Sequence, residues 1–263
     1  MPHVDRPGAT LYYERAGSGP PLLYCNGSGT TIDAVRPLLE MLAARYELIA
    51  YDHRGMGRST FDGSPYTMAD LAADAAAVLD DAGWDHCNVA GLSFGGMVAQ
   101  ELAVTWPERV ERLALLVTSP GGAFPSYPLD TLADLPLKER ADRSLQLSDR
   151  RWTPEWVAAH PDDPALAMIL AAGNPTAETE EQRAGRLAQL EARRHHDVFD
   201  RLVLVSAPTF VGSGRYDDIA PVRNGEAIVE RIPDATLHVY EGGHAFILQD
   251  PSAWRDLTAF LDG

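Results

Sequence analysis

The chain is predicted to fold as an α/β protein, with a mostly parallel central sheet, helices on both faces and one inserted helical lid. Three observations lead there. Strand-like apolar runs alternate with amphipathic helical stretches through about residue 117, and again from residue 208. Such alternation implies βαβ units. The runs themselves, such as Pro21-Leu22-Leu23-Tyr24-Cys25, are continuously apolar, as in strands buried on both faces. From about Ala123 to about Leu202 the alternation stops, leaving helical segments and proline-marked loops without a convincing strand. The expected organisation is therefore an α/β core of residues 1–122 and 203–263 and a helical cap of residues 123–202.

In order, Ala9 to Arg15 reads as an opening strand. Gly17-Ser18-Gly19-Pro20-Pro21 is a turn before the next strand and not a phosphate loop, since no lysine or helix follows it. Ile32 to Ala44 has helical spacing, with Ile32, Val35, Leu38, Leu39 and Leu42 on one stripe. Glu47 to Tyr51 is a strand, and Thr67 to Ala82 a helix with Thr67 as its start signal and Gly83 as its stop. His86 to Ala90 ends another buried strand, Met97 to Val104 is helical, and Val110 to Val117 is strand again. Within the cap, Glu180 to Arg194 is a charged helical run. Pro208 to Gly212, Pro221 to Arg231, Ala235 to Tyr240 and Pro251 to Leu261 then read as strand, helix, strand and closing helix.

Composition narrows the setting. A chain of 263 residues with a 45% hydrophobic fraction suits one large domain, or a core carrying an insertion. The net charge of −16 argues against nucleic acid and anionic membrane surfaces as partners. No apolar run is long enough to span a membrane, and Met1 to Pro7 lacks the pattern of a signal peptide, so a cytoplasmic protein is expected. Cys25 and Cys87 fall in central strands and read as core residues, neither a disulfide nor metal ligands. Lys138 is the single lysine, which excludes a lysine nucleophile elsewhere. His160, His195 and His196 lack an accompanying carboxylate or cysteine pattern, and no metal or cofactor is implied.

The chemistry is carried by Gly91-Leu92-Ser93-Phe94-Gly95, a G-x-S-x-G stretch followed by Gly96 and set between strand and helix. That context is what a nucleophilic serine on a strained turn requires. Alone it could be a glycine-rich turn with a solvated serine. A serine hydroxyl needs a base, usually histidine, held by a carboxylate. Both follow at later strand ends, Asp217 after the strand near Val211, and His244 after the strand ending at Tyr240. Asp217 or Asp218 could instead cap the next helix, and His244 could be an ordinary loop histidine. Three such coincidences in the right order are improbable, and Asp217 is preferred to Asp218 by its spacing from Gly214 and Pro221. Oxyanion donors are expected from the N–H of Phe94 and, in the Asn26-Gly27-Ser28-Gly29 loop, of Ser28.

Together these residues resemble the α/β-hydrolase superfamily over nearly the whole chain. Asp52-His53-Arg54-Gly55-Met56-Gly57-Arg58-Ser59 matches its D-x-R-G-x-G-x-S loop, read here as structural, and Gly243-His244 through Gln249-Asp250-Pro251 matches its histidine loop. The chain is most similar to the branch of 3-oxoadipate enol-lactonases and cofactor-free haloperoxidase-like esterases. Many relatives carry His-Gly where this chain has Asn26-Gly27, and enol-lactonases resemble it in having asparagine there. A serine at position 93 disfavours the aspartate-dependent dehalogenase and epoxide hydrolase mechanisms.

The resemblance implies a serine hydrolase of a small carboxylic ester or lactone, working through an acyl-enzyme on Ser93 with Asp217 and His244. The same triad also serves carbon–carbon bond hydrolysis and perhydrolysis, and some relatives are slow-turnover ligand receptors. Asn26, Gly27, Trp152, Trp156 and Met168 are candidate substrate contacts. For the two tryptophans and the methionine, core packing within the cap is the competing reading. A small ester or lactone is the expected partner, and a homo-oligomer is left open.

Overall fold

The computed structural model describes residues 2–132, 135–163, 165–167 and 179–263. They form an eight-stranded sheet of β1 (His3–Arg6), β2 (Ala9–Ala16), β3 (Pro21–Cys25), β4 (Glu47–Tyr51), β5 (Cys87–Leu92), β6 (Val110–Leu116), β7 (Thr209–Gly214) and β8 (Ala235–Tyr240). Their order is β1-β2-β4-β3-β5-β6-β7-β8. β2 is antiparallel to both its neighbours, and every pairing from β4 through β8 is parallel. All carboxyl ends of the parallel strands therefore lie along one edge, where open α/β sheets place their sites. β1 is an added edge strand that the polar sequence around His3 does not announce.

Successive strand residues face opposite layers, which explains the unbroken apolar runs. Leu23, Ile49, Val89 and Val211 pack under helices α2 (Met68–Asp81) and α3 (Phe94–Thr105). Leu22, Leu48, Ala90 and Phe210 pack on the other side, against Leu39 and Leu42 of α1 (Arg36–Ala43) and the closing helix near Leu257. α1 starts four residues later than its stripe suggests. Pro37 sits in its first turn, and the Ile32 N–H is drawn to Asp52 Oδ1 at 2.7 Å. α2 begins at a capping box, Thr67 with Asp70, as its start signal implied.

Between β6 and β7 the chain forms α4 (Leu137–Ser148), α5 (Pro154–Ala159) and α6 (Glu180–Arg194), and no strand there joins the sheet among the described residues. α6 is capped by Thr179 with Gln182. A bridge between Gly121 and Asp197 ties the two ends of this helical segment together. α7 (Val222–Arg231) links β7 to β8, and α8 (Phe246–Gln249) and α9 (Pro251–Asp262) follow β8. Among the described residues no helix is long and apolar enough to cross a membrane.

Candidate active site

Ser93 follows β5 and opens α3 with φ 55° and ψ −114°, a strained conformation for a residue with a side chain. The close approach of backbones here dictates the glycines. A β-carbon on Gly91 would lie 2.4 Å from the Gly95 carbonyl oxygen, and one on Gly95 would lie 2.0 Å from the Cys25 carbonyl oxygen. The strain is held by hydrogen bonds on both sides of Ser93. Its N–H donates to Leu116 O at 2.8 Å, and its carbonyl accepts from Thr118 Oγ1 at 2.7 Å. Val117, beside it at the end of β6, is also left-handed with φ 46°, and its N–H donates to Gly212 O at 2.8 Å. Nothing in a β-branched residue signals that second strained position in advance.

Asp217 lies three residues beyond β7 and His244 four beyond β8. His244 Nδ1 is 2.7 Å from Asp217 Oδ2, and Asp217 Oδ1 accepts from the N–H groups of Ile219 at 2.7 Å and Ala220 at 3.0 Å. Asp217 is buried and fully engaged, whereas Asp218 is exposed and meets Arg150 at 3.4 Å. The two loops are locked together, since a β-carbon on Gly214 would lie 2.0 Å from Gly243 O. The histidine loop also has a support that sequence reasoning missed. His244 N–H donates to Ser148 O at 2.6 Å, and Gly243 N–H to Gln249 Oε1 at 2.8 Å. Gln249 Nε2 donates to Asp149 Oδ2 at 2.9 Å, and Asp149 pairs with Arg151 at 2.6 Å.

The loop after β3 faces the elbow. Asn26 is 0% exposed and its Nδ2 donates to Tyr51 O at 3.1 Å. His53 Nε2 donates to Asn26 O at 3.1 Å, and its ring meets Phe94 edge-on at 5.4 Å. Burial lowers the His53 pKa to about 4, so the ring is neutral near pH 7 and Nε2 carries its proton. His53 thus braces both expected oxyanion elements, a role the motif match did not reveal. Further along the loop, Gly27 O accepts from Thr30 Oγ1 at 2.6 Å, and Gly29 N–H donates to Gln189 Oε1 of α6 at 2.9 Å. Among the described residues, neither Ser28 nor Phe94 uses its main-chain N–H in a hydrogen bond.

A family model described as the alpha/beta hydrolase fold matches residues 20–251. The chain belongs to the α/β-hydrolase family. It is 32% identical to a putative carbamate hydrolase of Azorhizobium caulinodans over 98% of this chain and 96% of the relative. It is 27% identical to 3-oxoadipate enol-lactonase 2 of Acinetobacter baylyi over 90% of this chain and 86% of that protein. The crystal structure of the enol-lactonase from Burkholderia xenovorans superposes with a TM-score of 0.82 at 22% identity, covering 100% of both chains, which speaks for the fold. Family and relatives together place the protein among hydrolases, with enol-lactonases among its relatives as the residue pattern implied.

In this hydrolase the D-x-R-G-x-G-x-S loop is a framework. Asp52 accepts from Ile32 N–H at 2.7 Å and from Arg58 N–H at 3.0 Å. Arg54 grips Asp74 through Nε at 2.5 Å and Nη2 at 2.7 Å. Both thiols are buried, which pushes Cys25 and Cys87 up to about 12 and keeps them protonated.

Three expected substrate contacts are packed into the protein. Asn26 has no exposed surface and serves the loop. Trp152 is 1% exposed, in a packed cluster with Ala165, Leu166 and Ala245. Trp156 packs against the same cluster and stacks on His160 at 4.1 Å. Ala245, the neighbour of His244, belongs to this cluster, so the two tryptophans pack the helical segment onto the histidine loop. Gly27 is buried and holds the turn. Met168 lies outside the described residues. A cavity of about 410 Å³ opens between α3 and α6, bounded by Met97, Ser119, Leu190, Arg193 and His196, and its lining includes none of Ser93, Phe94, Ser28, Asp217 or His244.

Proposed function

We propose that the protein is a serine hydrolase that cleaves a small carboxylic ester or lactone through an acyl-enzyme on Ser93. The observation that carries this reading is the conjunction of a left-handed Ser93 at the elbow with the 2.7 Å Asp217–His244 pair at the same sheet edge. Asp217 keeps the proton on Nδ1, which leaves His244 Nε2 as the base for the Ser93 hydroxyl. Ser93 then attacks the acyl carbon, and the N–H groups of Phe94 and Ser28 receive the oxyanion. His244 protonates the leaving alkoxide and afterwards activates the water that releases the acid. Residues 123–202 act as the cap over this site.

The test is time-resolved hydrolysis of p-nitrophenyl acetate. A burst followed by steady release is expected, with a loss of about 10⁴-fold or more in Ser93→Ala. A Ser93→Ala protein that kept most of its activity would overturn the assignment. A single burst without turnover would favour a receptor. The similarity to a putative carbamate hydrolase supports a second acyl substrate for the same triad, a carbamate. Competition between p-nitrophenyl acetate and a small carbamate would rank the two.

A further inference from the structure

Asp217 and His244 sit on loops that leave different strands, and one short piece of the inserted helical segment spans both loops. It is the end of α4 and the turn after it. Leu147 O accepts from Asp218 N–H at 3.0 Å, and Ser148 O accepts from His244 N–H at 2.6 Å. Arg150 N–H donates to Tyr216 O at 3.0 Å. The approach to the histidine loop requires a glycine, since a β-carbon on Gly243 would lie 2.1 Å from Ser148 O and 2.7 Å from Asp149 Cβ. The acid and the histidine are thus held from one side by the same few residues.

Asp149 lies at the centre of this piece and is 0% exposed. Its Oδ1 accepts from Arg151 N–H at 3.0 Å and from Arg151 Nε at 2.9 Å. Its Oδ2 accepts from Arg151 Nη2 at 2.6 Å and from Gln249 Nε2 at 2.9 Å. Arg151 in turn lies over the ring of Tyr216, the neighbour of Asp217, at 4.0 Å. An ionised carboxylate only accepts, so Asp149 obliges Gln249 to turn its NH2 group inward. Oε1 then faces the other way, onto Gly243 N–H at 2.8 Å. Turned over, the same amide would set donor against donor at Gly243. A neutral amide at position 149 could pack there, but it would not dictate that polarity.

We propose that Asp149 and Gln249 are positioning residues for His244. Asp149 fixes the amide of Gln249, and Gln249 fixes the main chain that enters the histidine. The inserted segment is then part of the frame of the triad. The proposal rests on the reading of His244 as the base. In that role the ring serves Ser93, the leaving group and the water in turn without losing Asp217, and a displacement of about 1 Å can cost about 10²-fold in rate.

The experiment compares Gln249→Ala, Gln249→Glu, and Gln249→Glu combined with Asp149→Asn, against the unaltered protein. Two quantities are read: turnover of p-nitrophenyl acetate, and the far-downfield proton resonance of His244 Nδ1–H, assigned by its loss in His244→Gln. In Gln249→Ala, kcat should fall about tenfold to hundredfold with KM within about twofold, and the resonance should broaden. Gln249→Glu sets a second carboxylate against Asp149 and should do the same. Adding Asp149→Asn reverses the polarity of the pair at unchanged total charge: the new amide donates to the new carboxylate, which still accepts Gly243 N–H. That combination should return kcat to within about threefold of the unaltered protein. A folded Gln249→Ala with undiminished kcat and an unchanged resonance would overturn the proposal. So would a combined variant no better than Gln249→Glu, and this rescue stands even if Gln249→Ala fails to fold. The resonance needs no turnover, so the two readings fail separately. An unaltered protein that shows the resonance but no ester hydrolysis would break the acyl-enzyme reading alone, and broadening in Gln249→Ala would still decide this one. Hydrolysis by the unaltered protein, with rate and resonance both kept in Gln249→Ala, would break this one alone.

Discussion

The elbow floor and the α6 wall, linked by the hydrogen bond from Gly29 N–H to Gln189, are built on different terms. In the floor, Gly91, Gly95, Asn26, His53 and Asp217 are fixed by backbone contacts too close for a β-carbon and by hydrogen bonds to the protein. In the wall, Arg193, His196 and Gln189 are buried and each keeps polar atoms without partners among the described residues, as do Asn26 Oδ1 and His53 Nδ1 in the floor. The floor fixes the geometry of the elbow and the histidine loop, and the wall ties α6 to the loop after β3 through Gln189.

The largest expected effect tests the floor. Asp217→Asn should lower turnover about 10⁴-fold with little change in folding. Asp218→Asn, losing only an exposed contact to Arg150, should stay within a few-fold of the parent. Steady-state kinetics on one activated ester compares them, and equal losses would dissolve the distinction between the two carboxylates. Next in size, Gly95→Ala forces the Cys25 carbonyl to move and should cost about 3 kcal/mol in urea denaturation. Arg194→Ala, which breaks a half-exposed ion pair with Asp130 on the wall, should cost under about 1 kcal/mol. An Arg194 cost as large as that of Gly95 would mean that the wall is structural in the same sense as the floor.

A third effect, confined to acid pH, sharpens the contrast through the two buried histidines. Burial lowers both His53 and His196 from 6.5 to about 4. The unfolded chain therefore takes up these protons first, so their contribution to stability is intact above pH 6.5 and is lost as pH falls from 6.5 towards 4. Near pH 5 the loss is about 2 kcal/mol for each ring. His53→Gln and His196→Gln should each flatten this acid dependence. Only His53→Gln should also weaken the protein near neutral pH, through the lost bond to Asn26 O. Urea midpoints across the acid range check both, and an unchanged slope in either variant would rule that ring out as a source.

The alternating elements and the elbow were legible because each rests on local rules. Apolar runs mark strands buried on both faces, Thr67 marks a helix start, and the elbow glycines answer close backbone contacts within a few residues. The choice between Asp217 and Asp218 could be leaned on from spacing, and the bond to His244 distinguishes them. What stayed hidden depends on distant pairing. His53 looked like filler in a loop motif until Asn26 and Phe94 came beside it. Arg193 looked like one more charge on a polar helix, because its burial is imposed by Ser126, Tyr127 and the sheet edge. Trp152 and Trp156 read as a pocket lining or as core packing, and sequence alone does not show that they pack against Ala245 of the histidine loop.

The hydrogen bond from Gly29 N–H to Gln189 has a consequence for how the site responds to occupancy. It joins the loop after β3 and α6 into one mechanical unit across the sheet edge. Thermodynamic reciprocity then applies to that unit. If a ligand group seated against α6 changes the affinity of the loop for a second group by some factor, that second group changes the affinity of α6 for the first by the same factor. A substrate carrying both groups would be held more tightly than its two halves suggest, and a product that has lost one end would be released by the same arithmetic.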